Sequence, residues 1–318
     1  LIKIIEATMF FRKKKTTNAN VFKFPSIDAD GYFEFSDLAE ITSDIGDNAK
    51  IKITGSGGLL VRGNVGNNVE IIIEDGTGLS SIINIVIRNG SAKRYDDQAF
   101  SGNVIIEGHC GDHVNIATHG DIHLGTAGNN LTANAGHEFT AQRLGDYPSI
   151  ETGFDVKIDG DSGARTIINA GHNINAANMG ENSEIQAGFD IQCGDIGDYS
   201  ECEAGHGIKI KSTGEHCVLE SGFDIKVKNL GASSRAESGH NFKADLIGED
   251  CRVEAGFDIK AKQAFNSAVL DSSFPTTIDN YIDSAQKAEA EAEAESKIET
   301  KTTTKNKTGH TPRNFDIM

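Results

Sequence analysis

The chain has 318 residues, among them 35 glycines, 4 prolines and no tryptophan, and its formal net charge is −17. That charge argues against nucleic acid as a general partner, since phosphate binding rests on clustered cations. Five scattered cysteines, Cys110, Cys193, Cys202, Cys217 and Cys251, contain no CxxC pair. They read as reduced core thiols of a cytosolic protein rather than a disulfide framework or a metal site.

In chain order, LIKIIEAT precedes Met9 and reads as an upstream extension of the start. Phe10 and Phe11 come next, then four consecutive cations, Arg12, Lys13, Lys14 and Lys15. The apolar runs here are too short to span a bilayer, and no secretory signal pattern is present. Two rings beside four cations suit docking on an anionic membrane surface, where each cation contributes about 1 kcal/mol. A solvated basic tail is the plain alternative. Residues 25–45 read as an opening segment, with a short helix at Asp37–Ile41 covering the first rung of a repeating region. From Gly46 apolar residues alternate with polar ones, at Ala49, Ile51, Ile53, Leu59, Val61, Val65, Val69, Ile71 and Ile73. Ile82–Ile87 is a further strand, and residues 89–100 read as a polar loop between turns.

Residues 101–118 and 119–135 then lead into the most regular stretch. From Gly136 the chain falls into lines headed by Gly136, Gly153, Gly171, Gly188, Gly205, Gly222, Gly239 and Gly256, spaced 17 residues apart with one step of 18. A second glycine recurs within every line but the last, as at Gly197, Gly214, Gly231 and Gly248. A short fixed period predicts stacked units that bury a core only together. The period-two alternation inside a line, as in Phe223, Ile225 and Val227, predicts a half-buried strand. The glycines are expected at corners, where positive φ is needed and a Cβ would clash. Position 4 of the lines (Phe139, Val156, Ile174, Ile191, Ile208, Ile225, Phe242, Ile259) is expected to face inward. So are position 15 (such as Ile185, Cys202, Leu219 and Val253) and the small final position (such as Ala187, Ala204 and Ser221). Ten turns from 101 to 272 and about three before them predict a rod on the order of 60 Å long. The expected fold is all-β: a single-stranded, right-handed β-solenoid over residues 46–272, with about 13 rungs of roughly 17 residues and flexible tails.

Position 2 alternates between histidine and phenylalanine: His137, Phe154, His172, Phe189, His206, Phe223, His240, Phe257. Either each line is one turn, with histidine stacked between phenylalanines, or a 34-residue coil puts the two types on opposite sides. Equal glycines and equal inward sizes in both halves favour the first. Successive histidines then lie about 10 Å apart, too far to share one metal ion. They read as structural imidazoles bonded to neighbouring carbonyls. The Asp/Asn residues at position 3 read as a corner ladder, without the denser GGxGxD pattern of calcium solenoids. Glu203, Glu220, Glu237 and Glu254 predict an acidic ladder, and Lys209, Lys226, Lys243 and Lys260 a basic one.

After Ser272 the pattern stops. SFPTTIDNYIDS is expected to fold over the open end, with Phe274, Ile278, Tyr281 and Ile282 as cap contacts. An acidic Ala/Glu helix and a disordered tail complete a 273–318 segment. No nucleophile elbow, phosphate loop or HExxH motif occurs, so neither an enzyme nor a cofactor is expected.

The Met9–Lys15 stretch and the near-17-residue solenoid together resemble the bactofilins, bacterial polymer-forming cytoskeletal proteins. Lines such as ESGFDIKVKNLG also resemble the repeats of the flagellar assembly protein A-like family. The bactofilin resemblance implies end-to-end self-association without nucleotide, on the inner face of the membrane. The chain departs from it in having about twice the usual number of turns. The expected function is a non-enzymatic, cytoplasmic structural scaffold held at the membrane, with a protein partner unspecified. The alternative is a secreted or surface-displayed binding rod.

Overall fold

The computed structural model describes residues 22–35, 39–54, 59–61, 63–74, 85–87, 104–118 and 120–283. Its regular elements are strands, and they form one 15-stranded and one 13-stranded sheet with every pairing parallel. The chain passes from one sheet to the other and back, so each turn adds a strand to each. This is a β-solenoid of 13 turns, counted on the 13-stranded sheet. Ten of those strands lie between Asn115 and Ser272 and three precede them, as the spacing predicts. Ile191, Ile208 and Ile225 stack in register, each one turn from the next. Among the described residues the alternation of strands between the sheets is broken at one place. Ile85–Ile87 and Val104–Cys110 are neighbours in the 15-stranded sheet, while Glu70–Glu74 pairs directly with Asn115–Thr118 in the other. The polar stretch 89–100 between them lies outside the described residues.

A single turn shows how the sequence closes on itself. Asp190–Ile196 runs along the 15-stranded sheet with Ile191 and Cys193 inward. Alternation then skips, and the next inward residue is Ile196. The skip bends the strand and makes a short third side. Its inward column, Met179, Ile196, Leu230, Ile247 and Ala264, is buried. After a corner, Glu201–Ala204 runs along the other sheet with Cys202 and Ala204 inward. The expected inward columns at positions 4 and 15 are buried through Val253 and Ile259, and those before Gly136, including Ile51, Val65 and Ile71, join the same core.

The corners bear out one half of the expected role of glycine, the clash of a Cβ, and correct the other. Neither glycine column adopts positive φ. The left-handed conformation falls instead on a separate column of residues with side chains, among them Asn182, Tyr199, His216, Ser233 and Asp250, with φ of 51° to 56°. The glycines answer the other expected demand, close approach between turns. A Cβ on Gly188, Gly205, Gly222, Gly239 or Gly256 would overlap the carbonyl oxygen of the glycine one turn earlier. Stacked corners bring backbone onto backbone there, and only hydrogen fits between them.

Two terminal expectations are also corrected. Ala39–Ile41 is a strand of the 15-stranded sheet, where a helix was expected over Asp37–Ile41; its neighbours 36–38 are outside the described residues. Phe22–Phe24 already begins that sheet, so the stack starts ahead of Gly46. At the other end Thr277–Ile282 does not fold over the core. It pairs in parallel with Ile259–Phe265 and becomes the last strand of the 15-stranded sheet. A segment that reads TIDNYI satisfies its backbone more fully along an existing edge than across an apolar end. Tyr281 and Phe274 are consequently more than half exposed, at 55% and 51%. The Ala/Glu stretch and tail after residue 283 lie outside the described residues.

Candidate interaction surfaces

The alternating position-2 column resolves in favour of one line per turn. His137, Phe154, His172, Phe189, His206, Phe223, His240 and Phe257 form one continuous stack along a corner, with ring centroids 4.5–5.5 Å apart. Phe274 extends it by one ring, tilted, at 4.1 Å. Parallel strands set the spacing, and flat rings on successive strands meet face to face at that distance. The four phenylalanines between His137 and Phe257 remain 38–44% exposed, so the stack presents its ring edges to solvent.

The histidines bond to carboxylates rather than to the carbonyls expected. Each Nδ1 faces the position-3 aspartate of the turn before: His137 to Asp121 at 2.8 Å, His172 to Asp155 at 3.0 Å, His206 to Asp190 at 2.8 Å, His240 to Asp224 at 3.3 Å. The stacking of one turn on the next produces this, because the aspartate leans across the corner onto the next turn's ring. The same Oδ1 of Asp155 accepts the Asn173 backbone N–H at 2.9 Å, and that of Asp224 accepts the Asn241 N–H at 3.0 Å. The corner ladder read from the sequence is therefore present, and the histidines are part of it. At His172 and His240 the neighbouring asparagine Nδ2 also reaches Nδ1, at 2.8 and 2.7 Å. One ring nitrogen cannot donate to the carboxylate and accept from the amide together, so these two rings switch partner with tautomer. His137 and His206 are followed by Glu138 and Gly207, with no side-chain amide there, and their Nδ1–H tautomer donates to aspartate.

A column that sequence reasoning missed lies at the opposite corner. Thr166, Ser183, Ser200, Cys217, Ser234 and Cys251 are all at most 2% exposed. Ser200, Cys217, Ser234 and Cys251 each point at the carbonyl of the second-column glycine one turn earlier, for example Cys217 Sγ to Gly197 O at 3.3 Å. Hydroxyl and thiol alternate because either can meet that carbonyl. The signal was legible as a small-polar column but was masked by reading cysteine as apolar.

All five cysteines are free and buried. Burial pushes the Cys110 and Cys193 thiols from an ordinary 9.0 up to about 12. Between those values the folded chain holds protons that the unfolded chain has released. These groups therefore leave stability unchanged below about pH 9 and lower it as pH rises toward 12, by up to about 1.4 kcal/mol per pH unit per thiol. The urea midpoint is expected to fall between about pH 9 and 11, and a Cys110→Ala/Cys193→Ala double variant should show a flatter fall. Equal slopes in the two proteins would contradict this.

The two sheets differ in outward charge. On the 15-stranded sheet Lys209, Lys226, Lys243 and Lys260 stack in register. On the 13-stranded sheet Glu203, Glu220, Glu237, Glu254 and Asp271 do the same. Glu237 and Glu254 pair within their strands with Arg235 and Arg252. No group of three His, Cys, Asp or Glu converges to hold a metal ion among the described residues.

Phe10, Phe11, Arg12, Lys13, Lys14 and Lys15, the expected membrane contacts, lie outside the described residues. No described helix is long and apolar enough to cross a membrane. Comparison with family models, with curated proteins and with solved structures found no match.

Proposed function

We propose that this β-solenoid is a non-enzymatic structural scaffold that self-associates end to end and attaches to an anionic membrane through Phe10–Lys15, on the cytoplasmic side. The supporting observation is the state of the C-terminal end. Among the described residues, Val269–Ser272 and Thr277–Ile282 are the last strands of their sheets and are hydrogen-bonded to a neighbouring strand on one side only. Val269 is 59% exposed, and Leu270 and Ile278 pack on the core without being fully buried. At the other end Phe22–Phe24 and Tyr32–Phe35 are likewise terminal strands. Parallel edges with an apolar interior between them are templates for another copy of the same coil.

Electron microscopy of the purified full chain tests this. Filaments are expected from the natural sequence and single rods on the order of 60 Å from a Val269→Lys/Ile278→Lys variant. Single rods from both would refute end-to-end assembly. For the membrane contact, replacing Phe10, Phe11 and Lys13–Lys15 should abolish binding to vesicles containing anionic lipid; unchanged binding would remove that part of the proposal. A second reading, a secreted or surface-displayed binding rod, draws support from the exposed phenylalanine edges of the corner stack. Deleting 300–318 should abolish export under that reading and leave assembly intact under the first.

A further inference from the structure

We propose that copies of the rod also associate side by side, the lysine face of the 15-stranded sheet on one copy packing against the glutamate face of the 13-stranded sheet on the next. This rests on the self-association reading and adds a second, lateral surface to it.

Each face stacks like charges at a strand spacing of about 4.8 Å, an arrangement that is unfavourable by itself. Lys209, Lys226 and Lys243 are exposed and make no ion pair among the described residues, and neither do Glu201, Glu203 and Glu220. The basic strands (207–213, 224–230, 242–247, 259–265) and the acidic ones (201–204, 218–221, 235–238, 252–255) come from the same turns. The two ladders consequently have the same pitch, and a second copy aligned along the first sets lysine opposite glutamate turn after turn. Within one chain the two ladders cannot neutralise each other, because they stand on the outer surfaces of different sheets; Lys260, Glu237 and Glu254 pair instead with Asp258, Arg235 and Arg252 beside them. A second copy is the partner whose charge spacing matches by construction, whereas an arbitrary polyanion has no reason to share it.

The contact is heterologous: one face meets a different face. Each added copy leaves a free basic and a free acidic side, so association continues as an open array unless it closes into a ring. Exposed ion pairs are screened by salt, so the contact should form at low ionic strength and dissolve near 1 M salt, where the screening length is about 3 Å.

The experiment is sedimentation of the full chain, carried out in the Val269→Lys/Ile278→Lys background so that ends do not contribute. At low salt the natural faces should give multimers that revert to single rods at high salt. A triple reversal Lys209→Glu/Lys226→Glu/Lys243→Glu and the converse Glu203→Lys/Glu220→Lys/Glu237→Lys should each weaken association at least about tenfold. Mixing the two reversed proteins should restore it, since each then offers the face the other lacks. Circular dichroism melts establish that both variants fold. Failure of the mixture to associate, or multimers indifferent to salt, would overturn the lateral surface. Filaments of natural ends that persist with reversed faces would leave end-to-end assembly standing, so the two readings fail separately.

Discussion

Replacing Gly222 with valine is expected to lower stability by at least about 3 kcal/mol. The added Cβ would lie on the Gly205 carbonyl oxygen, which is backbone and fixed by the turn beneath. It cannot rotate away as a side chain can. Relief would require the stack to open at that corner, loosening the hydrogen bonds from Gly222 N–H to Ala204 O and from Phe223 N–H to His206 O, at 3.0 and 2.8 Å. The aromatic stack passes through the same corner, so Phe223 would lose contact with His206 as well. A contrasting substitution isolates the cause. Gly207 sits in the Asp/Asn ladder, where a Cβ would meet only Asp190 Oδ1 at 3.1 Å and Asp224 O at 3.5 Å. Gly207→Asn should raise stability by about 1 kcal/mol, by restricting the unfolded chain and restoring a ladder side chain. Urea midpoints of the two variants check both signs. Equal midpoints for Gly222→Val and the natural chain would show that the corner is looser than its geometry requires.

Phe242→Ala should remove about 3–5 kcal/mol. Phe242 is fully buried and stacked in register between Ile225 and Ile259, in a core only one turn wide. No second layer exists to relax into the cavity. The loss should also be local. Each turn touches only its neighbours, so stability is a chain of nearest-neighbour contacts rather than one cooperative core. Hydrogen exchange should therefore show residues 239–283 losing protection first, while the turns around Ile174 keep theirs. Uniform loss of protection along the rod would contradict a one-dimensional stack.

The histidine column shows how far residue pattern reaches and where it stops. Alternation of His and Phe left coils of 17 and 34 residues open, and the equal glycines and inward sizes of the two halves favoured the shorter, which places the rings over one another. It did not identify the ring's polar partner. Asp155 lies one turn before His172, but so do other polar groups, and only the lean of the carboxylate across the corner selects it. The C-terminal segment illustrates the same limit. TIDNYI offers the same apolar residues whether it lies along an edge or across an end, and the choice was made by an available row of backbone groups on Ile259–Phe265.

What the residues determined unaided was most of what repeats: an all-β coil, its period, the number of turns, the inward columns and the two charged ladders. Repetition multiplies a weak local preference until only one stacking satisfies it. The tertiary structure alone decided what depends on distance between turns. It fixed which carbonyl oxygen each corner glycine leaves room for, and it gave positive φ to Tyr199, His216, Ser233 and their column mates. A sequence records that a corner has no room for a Cβ; only the stack reveals the atom that Cβ would meet.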